Sequence, residues 1–68
     1  MSTYDTMMQC KPVAMTQFKA MVLGLRYAFC AEVPTETGRL VLIRAGDDRG
    51  QLVGYREDYL DKTFFYVR

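Results

Sequence analysis

The chain predicts an α+β fold: one amphipathic helix packed on a three-stranded antiparallel β-meander. Three short blocks with alternating apolar residues, 39–45, 51–56 and 62–68, are separated by charged turns at 46–50 and 57–61. Strand-length blocks joined by loops of about five residues read as successive antiparallel strands. Ahead of them, residues 11–32 carry apolar side chains at helical spacing. Sixty-eight residues, half of them hydrophobic, make a single domain with material for a core.

The first ten residues mix Tyr4, Met7 and Met8 with Asp5 and Thr6. They either add a short edge strand to the sheet or remain an extended arm. Pro12 suits the first turn of the helix, where its missing N–H costs nothing. Alternatively, Thr16 caps a shorter helix that begins after it. At 100° per residue, Ala14, Phe18, Met21, Val22, Leu25 and Phe29 form one stripe, ready to lie on a sheet. Gly24 in the middle costs about 1 kcal/mol relative to Ala and marks a close backbone approach. Ala20, Leu23 and Tyr27 occupy the opposite face beside Lys19, Arg26 and Cys30, either as scattered surface hydrophobes or as a partner surface. Val33-Pro34 ends the helix, since Pro disfavours a helical residue before it.

Within the meander, the first strand is apolar on both faces, as expected of a central strand with both sides covered. Val53 and Tyr55 of the middle strand alternate with Leu52, Gly54 and Arg56. Val41, Ile43, Val53, Phe65 and Val67 are expected to face the helix. The other side then carries Leu40, Leu42, Arg44, Leu52, Arg56, Lys62, Phe64, Tyr66 and Arg68. Three occupants suit that outer face. The N-terminal segment or a second subunit covers its leucines; single-stranded nucleic acid stacks on its aromatics while Arg44, Arg56, Lys62 and Arg68 hold phosphates; or a different protein docks there. A homodimer packed through Leu40, Leu42 and Leu52 is one form of the first.

Several chemistries lack their residues. There is no His, no Trp and no Asn, and Ser2 is the one serine. A Ser-His-Asp or Cys-His arrangement is impossible, and the dispersed glycines form no phosphate loop. The chain reads as a non-enzyme with no cofactor and no metal. Cys10 and Cys30, placed at either end of a long helix, read as reduced thiols, which suits a cytoplasmic setting. No signal peptide or membrane span is expected, since Lys19 and Arg26 flank the apolar stretch between them. Nine basic against eight acidic residues give +1, short of the excess expected of a duplex-DNA binder. Asp47, Asp48, Glu57, Asp58 and Asp61 fit no calcium loop, and read as solvated turn carboxylates or as partners for basic side chains of a binding protein.

The run Gln51-Leu52-Val53-Gly54-Tyr55-Arg56-Glu57-Asp58, followed by Lys62 and Phe64, resembles a hairpin found in small phage-encoded anti-CRISPR proteins that block the type I surveillance complex. That resemblance covers about a fifth of the chain. It implies a stoichiometric inhibitor acting in the host cytoplasm on a larger protein or ribonucleoprotein complex. Tyr55, Tyr59 and Tyr66 would then be aromatic anchors, with Arg49 and Arg56 forming bidentate ion pairs.

Overall fold

The computed structural model describes residues 2–68. The chain is α+β, but its sheet has five strands and two short helices flank it. In chain order these are α1 (Thr3–Met8), β1 (Lys11–Val13), α2 (Met15–Leu23), β2 (Ala28–Pro34), β3 (Gly38–Ala45), β4 (Leu52–Tyr59) and β5 (Thr63–Val67). All neighbours are antiparallel, in the spatial order β1-β5-β4-β3-β2.

The meander over β3, β4 and β5 lies where the alternating blocks put it. The single helix over 11–32 does not form. Its first residues pair with β5, only Met15–Leu23 is helical, and its last third becomes β2. Gly24 closes α2, with its N–H reaching the Ala20 and Met21 carbonyls. Beyond it, Phe29, Ala31 and Val33 alternate with Ala28, Cys30 and Glu32. That pattern serves a strand as well as a helix, and pairing with β3 decides the outcome. Val33 and Pro34 accordingly lie in β2 rather than at a helix end. Pro12 sits in an edge strand, where a missing N–H is tolerated.

The N-terminal segment is neither an extended arm nor a strand before Cys10. It forms α1, capped by Ser2, whose Oγ accepts from the Asp5 N–H at 3.2 Å. The expected edge strand exists, displaced to Lys11–Val13.

Two cores result, one on each face. On the first, Phe18 of α2 packs with Val41 and Ile43, supported by Val13, Met21, Val22, Leu25, Val53, Phe65 and Val67. The Phe18 and Phe65 rings lie 5.1 Å apart. Every strand residue expected to face the helix does so. On the second face, Leu42, Leu52 and Thr6 are buried and α1 packs against β4, so the N-terminal segment covers the leucines. With Leu42 9% and Leu52 2% exposed, two of the three leucines through which a homodimer would pack, Leu40, Leu42 and Leu52, are already covered within the chain.

One irregularity redistributes the middle strand. Ile43 pairs with Gly54 but Arg44 with Leu52, so β4 carries one extra residue, Val53, as a bulge. Val53 joins the α2 core, and the residues after it exchange faces. Gly54, Arg56 and Asp58 lie on the α2 side, while Tyr55, Glu57 and Tyr59 lie on the α1 side. An added Cβ at Gly54 would stand 2.7 Å from both the Met21 Cε and the Tyr66 carbonyl oxygen, so glycine permits the close helix approach here. The expected turn at 57–61 begins later, because Glu57, Asp58 and Tyr59 still belong to β4.

Candidate functional site

The most organised surface is on the α1 side, beyond the end of that helix, where β4 and β5 run together. Register places Tyr55 opposite Tyr66 and Glu57 opposite Phe64. The Tyr55 and Tyr66 rings stack with centroids 4.5 Å apart and planes 11° from parallel. Phe64 meets Tyr59 edge-on at 5.9 Å, and the Lys62 ammonium sits 5.5 Å from the Phe64 ring. At the centre, Glu57 accepts from both phenols: Tyr66 Oη donates to Oε1 at 2.6 Å and Tyr59 Oη to Oε2 at 3.2 Å.

Strand alternation alone brings these side chains together, since residues 55, 57 and 59 share one face and 64 and 66 share it from the neighbouring strand. The hydrogen bond from Tyr66 to Glu57, helped by burial, pushes the Tyr66 phenol up to about 12. Burial first, then the Glu57 charge, raises Tyr55 and Tyr59 as well. All three phenols therefore stay neutral donors at physiological pH. The result is a rigid aromatic patch with an anionic centre and one cation at its margin.

Of the expected anchors, Tyr55, Tyr59 and Tyr66 converge in this patch. The two arginines do not. Arg56 lies on the opposite face, because the Val53 bulge reverses its side, and there it holds Asp58 with Nε 3.1 Å from Oδ1. Arg49 lies in the β3–β4 turn at the other end of β4, where its N–H donates to Asp47 Oδ1 at 2.9 Å. The nucleic-acid face is similarly reduced. Phe64, Tyr66 and Lys62 remain together, but Arg44 is engaged inside the chain, donating to the Gly50 carbonyl at 3.0 Å and to Thr3 Oγ1 at 2.7 Å. Arg68 follows β5 at its exposed end. Glu57, the residue at the centre, is expected from the sequence as a turn carboxylate, either solvated or paired with basic side chains of a partner, and not as an acceptor for tyrosines. Its two-residue spacing from Tyr55 and Tyr59 was the available signal.

The other acidic residues also divide. Asp58 belongs to an ion ladder across three strands of the α2 face, running Glu32–Arg39–Asp58–Arg56, with Arg39 Nη1 to Glu32 at 3.0 Å and Arg39 Nε to Asp58 at 2.9 Å. Burial pulls the Asp58 carboxyl upward, but the Arg39 hydrogen bond and the Arg56 charge outweigh it and hold the group below its ordinary range. Asp47 shapes its turn, beside Gly46 at φ 90°. Among the described residues, no group of three or more His, Cys, Asp or Glu is placed to hold a metal ion. Cys10 is partly covered and its thiol is raised by burial, whereas Cys30 is exposed on β2. No helix among the described residues is long and apolar enough to cross a membrane.

On the α2 side an apolar groove of about 410 Å³ runs along the helix, lined by Phe18, Val22, Leu23, Val41 and Ile43, with Lys19, Glu32 and Arg56 at its margins. A helix about 10 Å wide spans roughly two strands spaced about 4.8 Å apart, so α2 leaves the β2 side of the sheet uncovered.

Comparison with family models, with curated proteins and with solved structures gives no match to this chain.

Proposed function

We propose that this protein is a non-enzymatic binding protein that docks its β4–β5 aromatic patch on a larger host complex and inhibits it by occupying the surface. The observation that carries the reading is the cluster of Tyr55, Tyr59, Phe64 and Tyr66 fixed around Glu57. Tyrosines held by stacking and by hydrogen bonds lose little rotamer freedom on binding, which is what makes aromatic residues effective interface anchors. Phe64 is the exposed hydrophobe of the group, and Lys62 gives the patch a charged rim.

The hairpin that resembles the type I anti-CRISPR inhibitors is the strand bearing Tyr55 and Glu57, which makes a CRISPR surveillance complex the first partner to test. Nucleic acid is the weaker occupant. The carboxylate of Glu57 at the centre of the patch repels phosphate, and Tyr55 and Tyr66 stack on one another instead of lying open to bases. Two of the four cations that reading needs, Arg44 and Arg56, are spent within the chain.

The test is titration of a purified type I surveillance complex with the protein, reading target-DNA binding. Loss of target binding at one equivalent is expected, with recovery when Tyr59→Ala and Phe64→Ala are combined in a variant that keeps its fold. Unchanged target binding removes this class of partner. Wild-type inhibition retained in the double variant removes the patch.

A further inference from the structure

The two edges of the sheet are finished differently. β1 has three residues and carries Lys11 and Pro12, both of which discourage strand addition. β2 has seven residues, Ala28–Pro34, with Glu32 as its one charged side chain, and that charge is already paired with Arg39. Phe29 and Val33 stand 39% and 41% exposed on one face, and the apolar groove beside Cys30 opens on the other.

The hydrogen-bond parity of β2 defines what this edge offers. The Thr35 N–H donates to the Gly38 carbonyl at 2.9 Å and the Gly46 N–H to the Tyr27 carbonyl at 2.8 Å. Both pairs continue the β2–β3 register, so the odd-numbered residues of β2 exchange hydrogen bonds with β3. The N–H and C=O groups of Ala28, Cys30 and Glu32 therefore point out of the sheet. Pro34 adds an outward carbonyl and no donor.

We infer that β2 is an association edge at which a second copy of this chain adds antiparallel, joining two five-stranded sheets about a twofold axis at Cys30. The register follows from the donors. Centred on Cys30, Ala28 meets the other copy's Glu32, Cys30 meets its equivalent, and all three outward N–H groups find carbonyls, about six hydrogen bonds in total. Pro34 then falls outside the paired stretch. Centred on Ala31, Pro34 would oppose Ala28 and leave that carbonyl without a donor. Centred on Glu32, the two carboxylates would face each other. Side chains agree with the first register: each Phe29 lies opposite the small Ala31 of the other copy, and each Glu32 lies opposite Ala28 rather than its equivalent. An interface formed in this way is isologous, so it closes at two copies. It uses a different surface from the aromatic patch and stands or falls separately.

Sedimentation of the full chain from the micromolar to the millimolar range tests it, together with mild oxidation by copper phenanthroline and dioxygen. Dimeric wild-type protein is expected, with Cys30→Lys monomeric at unchanged circular dichroism. Opposed Cys30 residues in a hydrogen-bonded pair stand about 5.5 Å apart at Cα, within disulfide reach. Oxidation, with dioxygen taking the two electrons and two thiol protons, should then trap a covalent dimer in the wild type and in Cys10→Ser. Cys30→Ser should give none while remaining a reversible dimer, which separates loss of the cross-link from loss of the fold. A wild-type chain that stays monomeric, leaving β2 for a strand of another protein, overturns the inference. So does a dimer that survives Cys30→Lys.

Discussion

Replacing Tyr66 with Phe removes one hydroxyl and leaves the ring that stacks on Tyr55 at 4.5 Å. What is lost is the 2.6 Å hydrogen bond to Glu57. A phenol moved from 10.0 to about 12 corresponds to a ceiling near 2.7 kcal/mol, at about 1.36 kcal/mol for each pH unit. Tyr66 is only half-buried and Glu57 keeps its bond from Tyr59, so solvent screening reduces the expected loss to about 1 kcal/mol. In a domain of this size that lowers Tm by about 4–8 °C at neutral pH. The pH dependence carries the sharper test. Because the folded value lies above the unfolded one, the contribution is complete below pH 10 and is lost as pH rises through about 12. The Tm difference between wild type and Tyr66→Phe should therefore be constant to about pH 10 and shrink above it. Phenolate absorbance of the folded protein should show the latest tyrosine titrating near pH 12, and that step should be missing in the variant. Five tyrosines titrating together near pH 10, or a Tm difference that persists undiminished into strong alkali, would refute the argument.

Phe18→Ala removes the centre of the α2 core and should cost about 3–5 kcal/mol, enough to leave so small a domain largely unfolded in urea titration. Gly54→Ala drives a methyl group toward the Tyr66 carbonyl and Met21, and should lower stability by about 1–3 kcal/mol while α2 lifts from the sheet, as read by thermal melting. The Asp58 carboxyl is held below its ordinary 3.8, so its contribution is present above that value and lost as pH falls beneath it. Asp58→Asn should thus lower Tm near neutral pH and flatten the acid limb of the Tm profile below about pH 4.

The meander was legible because its strands alternate and its turns carry charge, both local signals. The helix was not, and residues 24–34 show why. A run of Leu25, Ala28, Phe29, Ala31 and Val33 satisfies a 3.6-residue period and a 2-residue period at once. Gly24, read as a close approach inside a helix, is where the helix stops. The choice belongs to pairing with β3, a non-local interaction that no local pattern contains. The N-terminus is the reverse case: the Ser2 cap before Asp5 announces α1, and the mixture of Tyr4 and the methionines obscures it.

For the candidate site, the deciding residue is Val53, which touches no part of the patch. Without the bulge, alternation from Leu52 would place Gly54 and Arg56 beside Phe64 and Tyr66, and send Tyr55 under α2. The extra residue reverses both assignments. Tyr55 gains its stacking partner, and Glu57 comes between two phenols instead of facing the Phe18 core. Arg56 and Asp58, which share a face in either case, come to the side that carries Arg39 and Glu32, completing the ion ladder across β2, β3 and β4 on the far side. Gly54 is delivered to a position where Met21 of α2 and the Tyr66 carbonyl leave no room for a Cβ. A bulge costs a regular ladder position, and here that local loss brings Tyr55 to the face of Tyr66 and Arg56 to the face of Arg39. The aromatic patch is then uncrowded by Arg56, while Arg56 and Asp58 join the Arg39–Glu32 pair on the opposite face.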